Sequence, residues 1–157
     1  MSERKAFQEQ VPAGSSRRYC YGCGADNPRG LHIKSYWEGD EGVCRWRPEP
    51  FHSSGPPDSL NGGVAATLID CHSVYTAVAT AYRLEGREMG QGEPVDYATA
   101  KLTVEYKRRT PMNATLELRS RVVKKGNRSM VVETVLLAEG QECVRGEVIA
   151  VRVSPEA

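Results

Sequence analysis

One stretch constrains this chain more than any other: Asn61-Gly-Gly-Val-Ala-Ala-Thr-Leu-Ile-Asp-Cys-His72, continuing to about Arg83. Asn61 is a good N-cap, because its side-chain oxygen can accept from an orphan N–H of the first helical turn. Ala, Leu and Ile propagate the helix, and Gly86 supplies a stop. Val64, Ala65, Ala66, Leu68, Ile69, Val74, Ala77, Val78 and Ala81 cover more than one helical face. A helix that is apolar almost all round is buried rather than laid on a surface. Yet it carries a carboxylate, Asp70. A buried charge is costly unless paired or put to use, so Asp70 is the residue that has to be explained.

The rest of the chain reads as strands around that helix. Leu31 to Trp37 alternates, with Leu31, Ile33, Ser35 and Trp37 on one side. Val43 to Arg47 makes the second arm of a hairpin that Pro48 and Pro50 end. After a polar loop from Gly86 to Pro94, period two returns in Ala98–Tyr106, Ala114–Val123, Met130–Ala138 and Cys143–Val153. The last three are joined by short turns and must be antiparallel neighbours. The expected architecture is α+β: a curved antiparallel sheet of five to six strands wrapped around one long central helix. About 22 helical residues at ~1.5 Å each span roughly 33 Å, the width of such a sheet.

The bulk properties exclude several classes. A chain of 157 residues supports one domain, expected over residues 19–157 after a disordered lead-in at 1–18. A net charge of +1 gives no reason to expect nucleic acid or a membrane surface as partner. Nothing near 18 consecutive apolar residues occurs, and the N-terminal region lacks the apolar core of a signal peptide. Five cysteines is an odd number, so reduced thiols and a cytoplasmic location are expected.

Four pieces, in this order, resemble the hotdog-fold acyl-CoA thioesterases of the PaaI-like branch. They are the knuckle Cys20-Tyr-Gly-Cys-Gly-Ala-Asp-Asn-Pro-Arg-Gly-Leu31, the helix start Asn61-Gly-Gly-Val-Ala-Ala-Thr-Leu-Ile-Asp70, the strand Ala98–Tyr106 and the hairpin Val122–Met130. The resemblance covers about residues 20–153. It implies hydrolysis of a small or medium acyl-CoA to free acid and CoA, in a homodimer or a dimer of dimers. The Gly62 N–H would hold the thioester oxygen at the helix N-terminus. Asp70 would act as general base or as nucleophile. A hydroxyl from the partner subunit, matching Thr99, would assist the water. Gly63 and Thr67 share a helical face with Asp70 and would line the substrate groove. Lys125, Asn127 and Arg128 of the hairpin, and Arg109 of the run Lys107-Arg108-Arg109, would meet the CoA phosphates. No cofactor is expected, CoA being part of the substrate.

One departure stands out. The histidine that commonly precedes Gly-Gly is Asn61 here, which can cap the helix and donate to a carbonyl but cannot carry a proton near neutral pH. That favours, as the alternative, a protein that binds or senses acyl-CoA without turnover. Neither His52 nor His72 occupies the position before Gly-Gly, and a hydratase or dehydratase on the same fold ranks lower, because such relatives keep a catalytic histidine placed differently from any of the three here. Cys20-x-x-Cys23 also raises zinc, with His32 or Cys44 completing the set. A structural site usually needs two close pairs and only one exists, so no metal is expected. Cys71 lies about 100° around the helix from Asp70 and is expected to face elsewhere. His72 reads as a satisfied core side chain.

Overall fold

The computed structural model describes residues 4–155. Its regular elements are β1 (Ser35–Glu38), β2 (Glu41–Trp46), α1 (Gly62–Leu84), β3 (Asp96–Tyr106), β4 (Leu116–Lys125), β5 (Ser129–Ala138) and β6 (Gln141–Val153), with short 3-10 turns at Phe7–Gln10, Ser16–Tyr19 and Pro50–His52. The six strands form one antiparallel sheet in the order β1-β2-β4-β5-β6-β3. The meander β4-β5-β6 follows from its short connections. β3, which precedes it in sequence, is placed beyond β6 as an edge strand of 11 residues. A register shift between Thr99 and Lys101 marks a bulge on that edge, a device that re-aims side chains beside a site.

Helix α1 starts and stops as its sequence dictates. The Asn61 side chain accepts from the N–H groups of Gly63 (2.8 Å) and Val64 (3.1 Å). At the other end Gly86 adopts φ +68°, and the bonds Gly86 N–H to Arg83 O and Arg87 N–H to Tyr82 O close a Schellman motif. The helix lies against the sheet with Leu68, Ile69, His72, Thr76 and Ala79 fully buried. Close approach is secured at Gly146 of β6, where a Cβ would come within 2.4 Å of Ile69 Cγ2. Positions Gly63, Ala66, Thr67, Asp70, Cys71 and Val74 are at least partly accessible. Their spacing traces one stripe along the helix that the sheet does not cover. Among the described residues no helix is long and apolar enough to cross a membrane.

Two expectations need correction. Of the lead-in expected to be disordered, residues 1–3 lie outside the described residues, as do 156–157 at the far end of the expected domain. The remainder is folded: Ala6, Phe7 and Gln8 are buried. Phe7 meets Trp37 edge-on at 5.5 Å, and the Gln8 side chain accepts from Ser35 N–H and donates to Ser35 Oγ. This segment lies along β1, the short edge of the sheet, and shields it. The first strand is also shorter than its alternation implies. His32 takes φ +53°, which breaks the extended run. Leu31 and Ile33 instead donate their N–H groups to Tyr21 O (2.8 Å) and Gly22 O (3.1 Å), tying the segment to the knuckle.

Candidate active site

The knuckle, residues 19–30, sits on the stripe of α1 that the sheet leaves open. A Cβ at Gly22 would lie 2.4 Å from Cys71 Sγ and 2.9 Å from Thr67 Cγ2, so only glycine lets this turn come so close. Between the knuckle, α1 and the start of β3 lies a cleft of about 160 Å³ lined by Cys20, Cys23, Asp70, Cys71, Val74 and Thr99, among others. It shares Arg17, Tyr75, Val78 and Asp96 with a second cleft of about 310 Å³, whose walls include Val11, Tyr82, Met89 and Val95. The two make a continuous, largely apolar groove. Arg17 and Asp96 form an ion pair at 2.8 Å where they meet.

Asp70 opens into the inner end of this groove. Burial raises its pKa from the usual carboxylate value, and a hydrogen bond from Thr99 pulls the other way. The Thr99 hydroxyl donates to Asp70 Oδ1 at 2.5 Å. This bond lies within one chain, whereas the resemblance implies a hydroxyl from the partner. The reason is topological: β3 runs alongside α1 in the opposite direction, and its bulge sets Thr99 level with Asp70.

Gly62 and Arg109 lie elsewhere. They line a separate cleft at the N-terminus of α1 with Ser59, Ala65, Tyr106, Lys107 and Arg108. Here the Asn61 oxygen caps Gly63 and Val64 but not Gly62, so the Gly62 N–H is the donor not taken by the cap. Tyr106 donates its hydroxyl to Gly62 O at 2.6 Å, and Arg109 pairs with Asp58 at 3.3 Å. Gly63 is exposed, its N–H held by the cap. Thr67 turns its hydroxyl back to Gly63 O at 3.0 Å. Gly62 and Asp70 are eight residues apart on one helix, about 12 Å along its axis. A single chain does not bring them to one atom.

Lys125, Asn127 and Arg128 form the exposed β4–β5 tip. Pairing of Ser129 with Val151, and of Val151 with Ala98, places this tip near the Asp96 end of β3, far from Arg109.

The cysteines overturn two spacing arguments. Cys71 faces the same cleft as Asp70, because the open stripe is wide enough to hold neighbours 100° apart. The thiols that gather are Cys20, Cys23 and Cys71, not His32 or Cys44. His32 Nε2 is bonded at Asn27 O, and Cys44 is buried in β2. Hydrogen bonds from the Cys23 and Cys71 thiols favour the thiolate at Cys20, and their own pKa values rise in consequence. Nothing in the chain's local spacing pointed to Cys71 as the third thiol.

His72 is the satisfied core residue its position implies. A carbonyl can only accept, so Nε2 carries the proton and donates to Gly42 O at 2.9 Å, while Nδ1 accepts from Ser35 Oγ at 2.7 Å. Gln8 Nε2 donates to that same hydroxyl at 2.9 Å.

The thioesterase superfamily model matches residues 58–144, which takes in α1, β3, β4, β5 and the first residues of β6. A thioesterase superfamily protein from Shewanella loihica PV-4 is 36% identical, with 77% of this chain and 90% of that one covered and a TM-score of 0.64. The PaaI protein of the Escherichia coli phenylacetic acid degradation operon shares the fold at 16% identity, covering 80% and 82%, with a TM-score of 0.63. So does a Streptococcus mutans UA159 protein bound to acetyl CoA, at 16% identity, 80% and 91% coverage and a TM-score of 0.62. Among curated proteins no relative matches. The long helix wrapped by a six-stranded antiparallel sheet is the hotdog fold, and the chain belongs to the thioesterase superfamily.

Proposed function

We propose that this protein is an acyl-CoA thioesterase of the PaaI-like branch, with each active site assembled from two copies of the chain. The observation that carries this reading is Asp70, a half-buried carboxylate held by Thr99 at the head of an apolar groove. The groove suits an acyl chain or ring. The family membership and an acetyl-CoA-bound protein of the same fold support a CoA thioester as substrate.

The requirement for two copies comes from geometry. A thioester carbon must lie about 3 Å from the attacking oxygen with its carbonyl oxygen at the donor, yet Asp70 and Gly62 of one chain are too far apart. β3 is a long, open edge strand. Two-fold antiparallel pairing of this edge with its copy sets the Asp96 end of one β3 against the Tyr106 end of the other. Asp70, Thr99 and the Lys125–Arg128 tip of one copy then approach Gly62 and Arg109 of its mate. The two basic groups that are apart in one chain come together around one CoA.

In this site Asp70 takes a proton from water, whose oxygen attacks the thioester carbon. The carbonyl oxygen becomes an oxyanion at the Gly62 N–H, supported by the helix dipole. The C–S bond breaks, and the proton on Asp70 goes to the departing thiolate. Thr99, donating to Asp70, keeps lone pairs with which to orient the water. Asn61 positions the substrate through its amide nitrogen, its oxygen being engaged in the cap, and no titrating group is needed there. If Asp70 instead attacks directly, an anhydride forms and water opens it in a second step; where water adds at the Asp70 carbonyl of the anhydride, oxygen-18 from solvent appears in Asp70.

The test is thiol release from short, medium, long and aromatic acyl-CoAs by wild type, Asp70→Asn and Gly62→Pro. Proline suits the first helical position after the extended Asn61 (ψ 131°) and deletes the N–H. Each variant should lose at least ~10²-fold in kcat. Mixing the two, with subunit exchange, should restore about a quarter of wild-type turnover, since half the dimers then carry one intact site. Binding of acyl-CoA with no thiol release by wild type would make the protein a binding module. Turnover by wild type with no recovery on mixing would place the whole site in one chain.

A further inference from the structure

The knuckle and helix α1 bring three thiols to one point. The Sγ atoms of Cys20, Cys23 and Cys71 all lie within 4.8 Å of one another, and those of Cys20 and Cys71 are 3.8 Å apart. None is in a disulfide. In a tetrahedral zinc site with Zn–S bonds of ~2.3 Å, neighbouring sulfurs are about 3.8 Å apart. The thiols therefore stand close to three corners of such a tetrahedron. A disulfide would use two of them and leave the third idle.

The backbone around them is set for close convergence. Gly24 N–H donates to Cys20 O at 2.9 Å, closing the turn between the first two cysteines. A Cβ at Gly24 would come within 2.4 Å of Cys20 N, and one at Gly22 would strike Cys71 Sγ. The bonds of Leu31 and Ile33 to Tyr21 and Gly22 fasten the turn against α1. The glycines and ties hold the turn where its two thiols meet the third, carried by a separate element.

We propose that Cys20, Cys23 and Cys71 bind one thiophilic divalent cation, Zn²⁺ foremost, with the fourth coordination position open to the cleft that holds Asp70 and Thr99. No fourth His, Cys, Asp or Glu joins the cluster among the described residues, so that position takes water or a ligand atom, the pattern of an open zinc site rather than a closed structural one. Binding exchanges S–H for S–metal bonds and releases the thiol protons to solvent; no electron is transferred. The metal would pin the N-terminal knuckle to the central helix, stiffening the wall of the groove.

The test uses the full-length protein, reduced and stripped with a chelator, then titrated with Co²⁺ and with Zn²⁺ against a chromophoric competitor. One equivalent per chain is expected, with an intense near-ultraviolet sulfur-to-cobalt charge-transfer band that Zn²⁺ abolishes. Cys20→Ser, Cys23→Ser and Cys71→Ser should each weaken binding by at least ~10²-fold, more than loss of an outer-shell partner costs, and Cys143→Ser should leave it unchanged. Absence of the charge-transfer band in the wild-type protein would overturn the proposal without any variant. So would wild-type Zn²⁺ affinity in the three serine variants, or thiols that react fully with a disulfide reagent at saturating Zn²⁺. The readout is metal binding and not turnover, so it stands or fails independently of the proposed hydrolysis.

Discussion

The two faces of α1 each carry an ionisable side chain withdrawn from water, and they treat it oppositely. On the sheet side His72 is fully buried, with both ring nitrogens bonded and a second layer, Gln8, behind them. Ser73 on the same side bonds Thr134 of β5 at 2.6 Å. On the open side Asp70, two residues earlier, has one hydrogen bond from Thr99 and faces a cleft. Burial displaces both pKa values, His72 down to about 4 and Asp70 up. The difference lies in what surrounds the group. A fully partnered ionisable residue specifies a packing arrangement. A part-partnered one facing a groove is poised to exchange a proton.

The largest effect is expected at His72. His72→Ala removes two hydrogen bonds, leaves Gly42 O and Ser35 Oγ without that partner in the core, and opens a cavity, so unfolding in urea should show a loss of about 3 kcal/mol or more. Acid tests the same residue in the intact protein. The folded chain holds His72 neutral to about pH 4 against an ordinary value of 6.5, so it binds fewer protons than the unfolded chain. Its contribution is complete above pH 6.5 and is lost as pH falls toward 4, by about 3 kcal/mol in all. Denaturant midpoints of metal-free protein across that range should fall accordingly, and the fall should be blunted in His72→Gln.

Asp70→Asn should do the reverse. Thiol release should drop by at least ~10²-fold, while the melting temperature at neutral pH rises, because a desolvated charge has been removed. A raised folded-state pKa means that the relative stability Asp70 gives is present below the unfolded value of 3.8 and lost as pH rises through the folded one. The gain in the variant should therefore shrink in acid. A variant that is less stable at neutral pH would show that Asp70 is a structural partner like His72.

Two glycines sharpen the contrast further. Gly146→Ala drives a methyl into Ile69 on the closed face and should cost about 1–3 kcal/mol with little change in KM. Gly22→Ala pushes the knuckle off Cys71 and Thr67 on the open face, so its effect should fall on KM and on the proposed metal affinity more than on global stability. The smallest effect is expected for Thr99→Ala, about tenfold in kcat, one hydrogen bond's worth. Its acid limb in kcat/KM should move to higher pH, because the lost bond is what holds the Asp70 pKa down.

Most of the frame was legible because it rests on local pattern. The run of helix formers between Asn61 and Gly86, apolar on more than one face, marked α1, and alternation marked the later strands to within a few residues. Asp70 stood out because charge is rare in such a helix, and Thr99 lies beside it. What escaped has no period. Phe7 and Gln8 are held by Trp37 and Ser35, far away in the sequence, a pattern that a local window cannot register. His32 ends a strand by one dihedral angle. Cys71 was assigned to the wrong side because a helical wheel gives angles but not the width of the open stripe, which is set by how far the sheet wraps.

The sheet order has a consequence for how such a chain is made. β6 is the last strand in sequence, yet it stands between β5 and β3. As the polypeptide leaves the ribosome, β3 emerges more than thirty residues ahead of β6, its one neighbour in the sheet among the described residues, and must wait, unpaired, until Gln141–Val153 follows. Closure of this domain therefore waits on β6, with a high contact order and correspondingly slow folding. A ribosome stalled before residue 141 would display α1 and an open sheet edge to the chaperones that guard such surfaces. The Asp70–Thr99 pair would form only once β6 had joined the sheet and fixed β3.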